Sequence, residues 1–163
     1  MIEVTVTGTQ EVVARIQGMS QKVRAELVKS MRQQWLGLQT YVVQNKLSGQ
    51  VLKRVTGNLA SSINAGGANT ASEFIDNGTG DIIGRVGTKV VYAAVHEYGG
   101  TVQVPAHERR ITQAFGKPIE PTTAFVQAHD AVYPERSFLR SSLEETKGQI
   151  RDNIAAAIKD FLS

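Results

Sequence analysis

The residues with most chemical capacity in this chain are three histidines, each followed by an acid: His96-Glu97, His107-Glu108 and His129-Asp130. A zinc-hydrolase helix needs two histidines four residues apart with a glutamate between them, so that both imidazoles face one ion. Here the fourth residue after His107 is Ile111 and the fourth after His96 is Gly100, so neither spacing builds a site. Gly78-Thr-Gly80-Asp-Ile-Ile-Gly84 lacks the Lys-Ser/Thr of a phosphate loop and the spacing of a dinucleotide fingerprint, and it reads as a turn. No Gly-x-Ser-x-Gly elbow is present. Glu144 and Glu145, adjacent on a helix, point in different directions and read as solvated rather than as a paired acid and base. The absence of cysteine excludes disulfides, thiolate ligands and cysteine nucleophiles together. The sequence therefore assigns no catalytic residue, no metal and no cofactor, and it argues for a protein that is not an enzyme.

What remains is chemistry of contact. The formal charge of +3 divides unevenly: up to Ser62 there are eight lysines and arginines against three acids, and beyond it ten against twelve. Such a basic first third can be a nucleic-acid face or simply the solvated side of a helix. The one basic-aromatic cluster is Arg109-Arg110 with Phe115 and Lys117, which could meet a phosphate.

These residues need a scaffold, and 163 residues make one domain. Hydrophobic residues at 41% supply a core, and aromatics at only 6% make it chiefly aliphatic. No apolar run is long enough to span a bilayer, and no secretory signal follows Met1; the composition suits a reducing cytoplasm. Ile2–Thr7 alternates as a strand. Thr9 caps a short helix over Gln10–Gln17, Gly18 breaks it, and Ser20 caps a longer one. There Val23, Leu27, Met31, Trp35, Leu38 and Val42 recur at steps of three and four, the stripe of a long amphipathic helix that ends at Ser48-Gly49.

Short strand-like runs follow at Leu59–Ala65, Ser72–Ile75, Ile82–Gly87 and Val90–Tyr98, the last equally readable as helix. Asn77–Gly80 signals a hairpin. Gly100–Pro134 holds all four prolines and reads as a loop-prone interaction arm with strand-like patches at Thr101–Val104 and Ala124–Ala128. A second amphipathic helix starts at Ser141, carrying Leu143, Ile150, Ile154, Ile158 and Phe161. No long apolar patch shows outside the two helix stripes. The order implies an α+β fold, with an N-terminal strand, a long amphipathic helix and a C-terminal helix packed on an antiparallel sheet, in a single domain over 1–163.

Three segments carry a family likeness. Leu52-Lys-Arg-Val-Thr-Gly-Asn-Leu-Ala-Ser-Ser-Ile63 is similar to an Arg-x-Thr-Gly-x-Leu-x-x-Ser-Ile block. Val86-Gly-Thr-Lys-Val-Val-Tyr-Ala-Ala-Val-His-Glu-Tyr-Gly-Gly100 looks like a Val-Gly-Thr, Tyr-Ala, glutamate-aromatic-glycine block. Pro134-Glu-Arg-Ser-Phe-Leu-Arg140 looks like a Pro-x-Arg-x-Phe-Leu block leading into a final helix. Together, in this order, they resemble the tail-completion, or virion morphogenesis, proteins of tailed bacteriophages. The departures are Ser137 where the family usually has proline, and a 101–133 segment longer than in compact members.

The resemblance implies a structural virion protein at the head–tail junction or the top of the tail tube, in the neck or upper tail, assembled in the host cytoplasm. It implies a ring, commonly of six copies, that contacts the tail tube protein, the head connector protein or both. DNA would pass through without sequence-specific binding, and no membrane would be involved.

The interface candidates are Lys29, Arg32, Arg54, Tyr92, Glu97, Tyr98, Arg109, Arg110, Phe115 and Arg136. Among them, Tyr92 and Tyr98 can bury their rings while keeping their hydroxyls at an edge, a useful property at subunit contacts, and Glu97 is expected to pair with Arg136, within or between subunits. Lys22, Arg24, Lys29 and Arg32 are expected to face outward or toward neighbours, and Asp76, Asp81 and Glu97 to line a neutral or acidic channel. The alternative reading is a nucleic-acid-binding module using the basic N-terminal third.

Overall fold

A computed structural model of the chain describes residues 2–6, 21–53, 55–78 and 80–162. The expected helix over Gln10–Gln17, its caps, and Arg54 lie outside the described residues. Strand β1 (Ile2–Val6) is followed by helix α1 (Gln21–Asn45), whose apolar stripe points inward. Val23, Leu27, Leu38 and Val42 are buried there, with Met31 and Trp35 half-buried. The helix ends where Lys46 and Leu47 amides both return to the Val42 carbonyl, and Gly49 takes a φ of 114° that a side chain would resist.

The next segment corrects the sequence reading. Leu59–Ala65 is not a strand; Asn58–Ile63 forms a short helix, α2, entered through Gly57 at φ 81°. One and a half turns are too short to show a helical period, and Leu59 and Ile63 sit as well on one helix face as on alternating strand positions. Strands β2 (Glu73–Asp76) and β3 (Ile82–Thr88) then pair antiparallel across the turn signalled by Asn77-Gly78. β1 pairs on the other side of β3, giving a three-stranded antiparallel sheet in the order β1-β3-β2.

Val90–Tyr98 resolves as a helix over its second part, α3 (Ala93–Tyr98). The region from 100 to 134 is the larger correction. It is not a loop but four strands: β4 (Gly100–Val104), β5 (His107–Ala114), β6 (Lys117–Val126) and β7 (His129–Tyr133), before the C-terminal helix α4 (Leu139–Leu162). Pro105 falls between strands, Pro118 and Pro121 on β6, and Pro134 past β7. In a two-stranded ribbon every strand is an edge, so proline does not exclude a strand.

The two long helices run antiparallel over the three-stranded sheet. Glu145 of α4 is exposed, as expected, and also accepts from Tyr41 Oη on α1 (2.7 Å) and from Lys46 Nζ just past it (2.6 Å), and Asn153 donates to Gln34 further along the pair of helices. The core joins Leu38, Val42, Leu47, Leu52, Ala60, Ile63, Val86, Ala93, Phe138 and Leu139, with a single aromatic among them. Trp35 lies across β3, donating Nε1–H to the Arg85 carbonyl at 2.7 Å, and a Cβ on Gly84 would stand 3.1 Å from the indole. Gly84→Val is therefore expected to cost about 1–3 kcal/mol through overpacking. Thermal unfolding by circular dichroism should show a lower midpoint with an unchanged helical spectrum.

Candidate functional site

β4 to β7 form one long hairpin. β4 pairs with β7 from Gly100↔Tyr133 to Val104↔His129, and β5 pairs with β6 from His107↔Val126 onward. The register is the same on both sides of a two-residue interruption, Pro105-Ala106 facing Gln127-Ala128. His107 and His129 each place Nδ1 3.0 Å from a carbonyl two residues back, those of Pro105 and Gln127, at this break. Because a carbonyl only accepts, Nδ1 carries the proton in both rings. A bulge between Ile111 and Gln113 precedes the tip, where Phe115 (φ 51°) and Gly116 (φ 76°) make a two-residue turn with both φ positive.

From root to tip the ribbon spans about 50 Å, at roughly 3.3 Å per residue. Nearly all of it is exposed; only Val104, Ile111, Ala114, Ala124, Val126 and Ala131 are half-buried. Contrary to the sequence reading, apolar surface does lie outside the helix stripes. Phe115 is fully exposed, Phe125 is 68% exposed, and Val102, Val132 and Tyr133 are exposed as well.

The root is the opposite in character. Glu97, at the end of α3, is 0% exposed, and its carboxylate accepts from the Phe138, Leu139 and Arg140 amides at 2.8–2.9 Å. Ser137 Oγ donates to it at 2.8 Å and Arg140 Nε at 3.3 Å. These amides are the unpaired donors of the first turn of α4, so Glu97 caps that helix from a remote part of the chain. Burial alone would raise the Glu97 carboxyl; the Leu139, Arg140 and Phe138 amides and the Ser137 hydroxyl outweigh it and hold it below the ordinary carboxylate range.

Around this carboxylate both strands of the root are clamped. Arg140 also donates to the Glu97 carbonyl and to Glu135, while its guanidinium lies 4.6 Å from the Tyr98 ring centre. Gly99, at φ 70°, passes so close to the returning strand that a Cβ would meet the Glu135 nitrogen at 2.8 Å. The Arg136 amide donates to the His96 carbonyl at 2.8 Å, and the His96 ring meets Tyr92 and Tyr133 edge-on. Burial, then the Arg136 charge, lowers the pKa of His96.

The expected candidates thus separate into three places. Tyr92, Glu97, Tyr98 and Arg136 meet at the root; Arg109, Arg110 and Phe115 lie exposed on the distal ribbon; Lys29 and Arg32 lie on α1. Several expectations change. Glu97 pairs with Arg140 and the α4 amides rather than with Arg136, and full burial removes it from any channel wall. Tyr92 and Tyr98 are 45% and 55% exposed in the single chain. Arg24 is taken up within the chain by Asp76 and the Gly80 carbonyl, whereas Arg32, 4.5 Å from the Phe74 ring centre, stays exposed with Lys22 and Lys29. Lys29 keeps an exposed ion pair with Glu26. Arg140 and Tyr133 were not singled out by sequence, and Ser137 was noted only where the family usually has proline, although serine is a capping residue type and stands two residues before α4.

Among the described residues, no group of three or more His, Asp or Glu side chains is arranged to hold a metal, and no helix is long and apolar enough to cross a membrane. Comparison with protein-family models, with curated proteins and with solved structures finds no match.

Removing the Glu97 carboxylate strands several buried donors at once. Glu97→Ala is expected to cost at least about 3 kcal/mol, while Glu97→Gln, which keeps one acceptor oxygen, should cost less. Because the folded pKa is depressed, the Glu97 contribution is complete above the unfolded value of about 4.3 and is lost as pH falls through the folded one. Chemical denaturation from pH 7 to pH 3 should show this acid-dependent loss in the native chain and a smaller one in Glu97→Gln, the remainder belonging to other carboxyls held low in the fold, Asp76 and Glu145.

Proposed function

We propose that the chain is a structural virion protein that forms a ring at the head–tail junction or at the top of the tail tube, where it completes or terminates the tail and joins it to the head. The observation that carries this reading is the ribbon: one long projection, exposed on both faces and both edges, rooted rigidly in a small body. A single asymmetric projection makes heterologous, head-to-tail contacts, and such contacts close into rings when the rotation permits. The sequence blocks support it as well, because they meet in the fold. Ser62 of the first block bonds Thr88 of the second at 2.6 Å, and Glu97 of the second holds the amides of the third. In this reading the blocks are the scaffold and the ribbon is the contact, with the tail tube protein and the head connector as neighbours.

A second reading has its own observation. Of the α1 cations that pointed to nucleic acid, Arg24 is taken up inside the chain, while Arg109, Arg110 and Lys117 on the ribbon have no partner among the described residues. A two-stranded ribbon fits a major groove. Negative-stain electron microscopy of the purified protein, alone and with tail tubes, distinguishes the two. Rings capping tube ends are the expected result. Monomers that retard duplex DNA with a steep salt dependence, and leave tube ends bare, would favour the second reading.

A further inference from the structure

We infer that Asn77-Gly78 is a site of self-modification, where the Gly78 backbone nitrogen displaces the Asn77 side-chain amide, and that the Asp76 carboxylate guards it. The inference stands independently of the ring reading.

Asn77 is the one asparagine of the chain that is followed by glycine. The reaction needs no enzyme and no co-reactant except water. The Gly78 nitrogen gives up its proton and attacks Asn77 Cγ; the new C–N bond closes a five-membered succinimide ring, and ammonia leaves. Water then opens the ring at either carbonyl, which leaves aspartate or isoaspartate at position 77. In sum, one water is taken up and one ammonia is released. A side chain on the following residue hinders the attack, and glycine has none.

Access is open. The site lies in the turn between β2 and β3, with Asn77 and Gly78 both exposed. A Cβ built on Gly78, at φ 74°, would meet nothing within 4 Å. Packing therefore does not shield the turn.

A hydrogen bond does. The Gly78 amide donates to Asp76 Oδ1 at 2.9 Å, so the proton that must leave is held by a carboxylate. Such coupling is reciprocal. The Gly78 amide is the largest influence holding the Asp76 carboxyl below its ordinary range, and the carboxylate in turn makes that amide harder to ionise. Asp76 is itself fixed from outside the turn by Arg24 of α1, which also donates to the Gly80 carbonyl at 3.0 Å. On the other side, the Asn77 amide donates to the Asp81 carbonyl at 3.3 Å. Closing the ring turns the Asn77–Gly78 peptide against all of these contacts.

The product changes the turn. Either outcome adds a carboxylate beside Asp76 and Asp81. Isoaspartate also lengthens the main chain by a methylene, in the turn that Arg24 ties to α1.

The test compares the folded chain with the same chain unfolded in guanidinium chloride, both held at neutral pH and read by peptide mass mapping. Asn153, followed by isoleucine, is the internal reference. The unfolded chain is expected to convert at position 77 ahead of every other asparagine. Its product should include isoaspartate, which direct hydrolysis of the side-chain amide cannot form. The folded chain should convert at least about tenfold more slowly, the scale of a hydrogen bond to a charged group. Asp76→Ala should restore most of that rate with an unchanged circular dichroism spectrum, because Asp76 is exposed. Asp76→Ser keeps a hydroxyl acceptor without the charge and should fall between the two; it replaces the alanine variant should that one not fold. Equal rates in the folded and unfolded chains, a folded Asp76 variant as slow as the native chain, or product free of isoaspartate would each overturn the proposal.

Discussion

Everything at the working end of this molecule depends on where one carboxylate sits. Glu97 is wholly buried and ionised, a state that costs several kcal/mol unless the donors around it are nearly ideal. Three amides, a hydroxyl and a guanidinium meet it, and each belongs to the segment that returns from the ribbon into α4. The same contact therefore caps a long helix, seals the Phe138–Leu139 end of the core, and ties the strand leaving the body to the strand entering it. Breaking it would not loosen one interaction but separate three structural tasks from each other.

The body is built to keep that point fixed. α1 and α4 are latched along their length by Lys46–Glu145, Tyr41–Glu145 and Gln34–Asn153, and β3 is held beneath them by Trp35 and by the Ser62–Thr88 hydroxyl pair. The β2–β3 turn is fastened back to α1 through Arg24 and Asp76, whose carboxyl the Gly78 amide, against burial, and then Arg24 hold below its usual range. The ribbon has none of this support. A rigid base and an unsupported projection are the division expected where a scaffold presents a contact element.

The α1 helix was legible because its signal is long, six apolar positions in one stripe, and β1 because Ile2–Thr7 alternates. α2 was not, since six residues do not distinguish periods. The ribbon was hidden by its composition. Four prolines and scattered polar residues look like loop when a strand is assumed to be central, yet an edge tolerates both. Of the site, Glu97 and its block stood out, but the partner did not. In a capping box the carboxylate comes from three residues into the helix, whereas here that place is Arg140 and the carboxylate arrives from forty residues upstream. One-dimensional spacing has no way to record such a substitution.

The interruption at Pro105-Ala106 and Gln127-Ala128 has a mechanical meaning. Cross-strand pairing stops there on both strands at once and resumes in the same register, while His107 and His129 satisfy the neighbouring carbonyls locally. The ribbon is thus two stiff bars joined at a knee, where bending breaks no ladder bond. A load on the tip turns the outer bar about this joint before any torque reaches the Glu97 cap. The outer bar can follow a neighbour whose angle varies, while the fold that carries it stays unstrained.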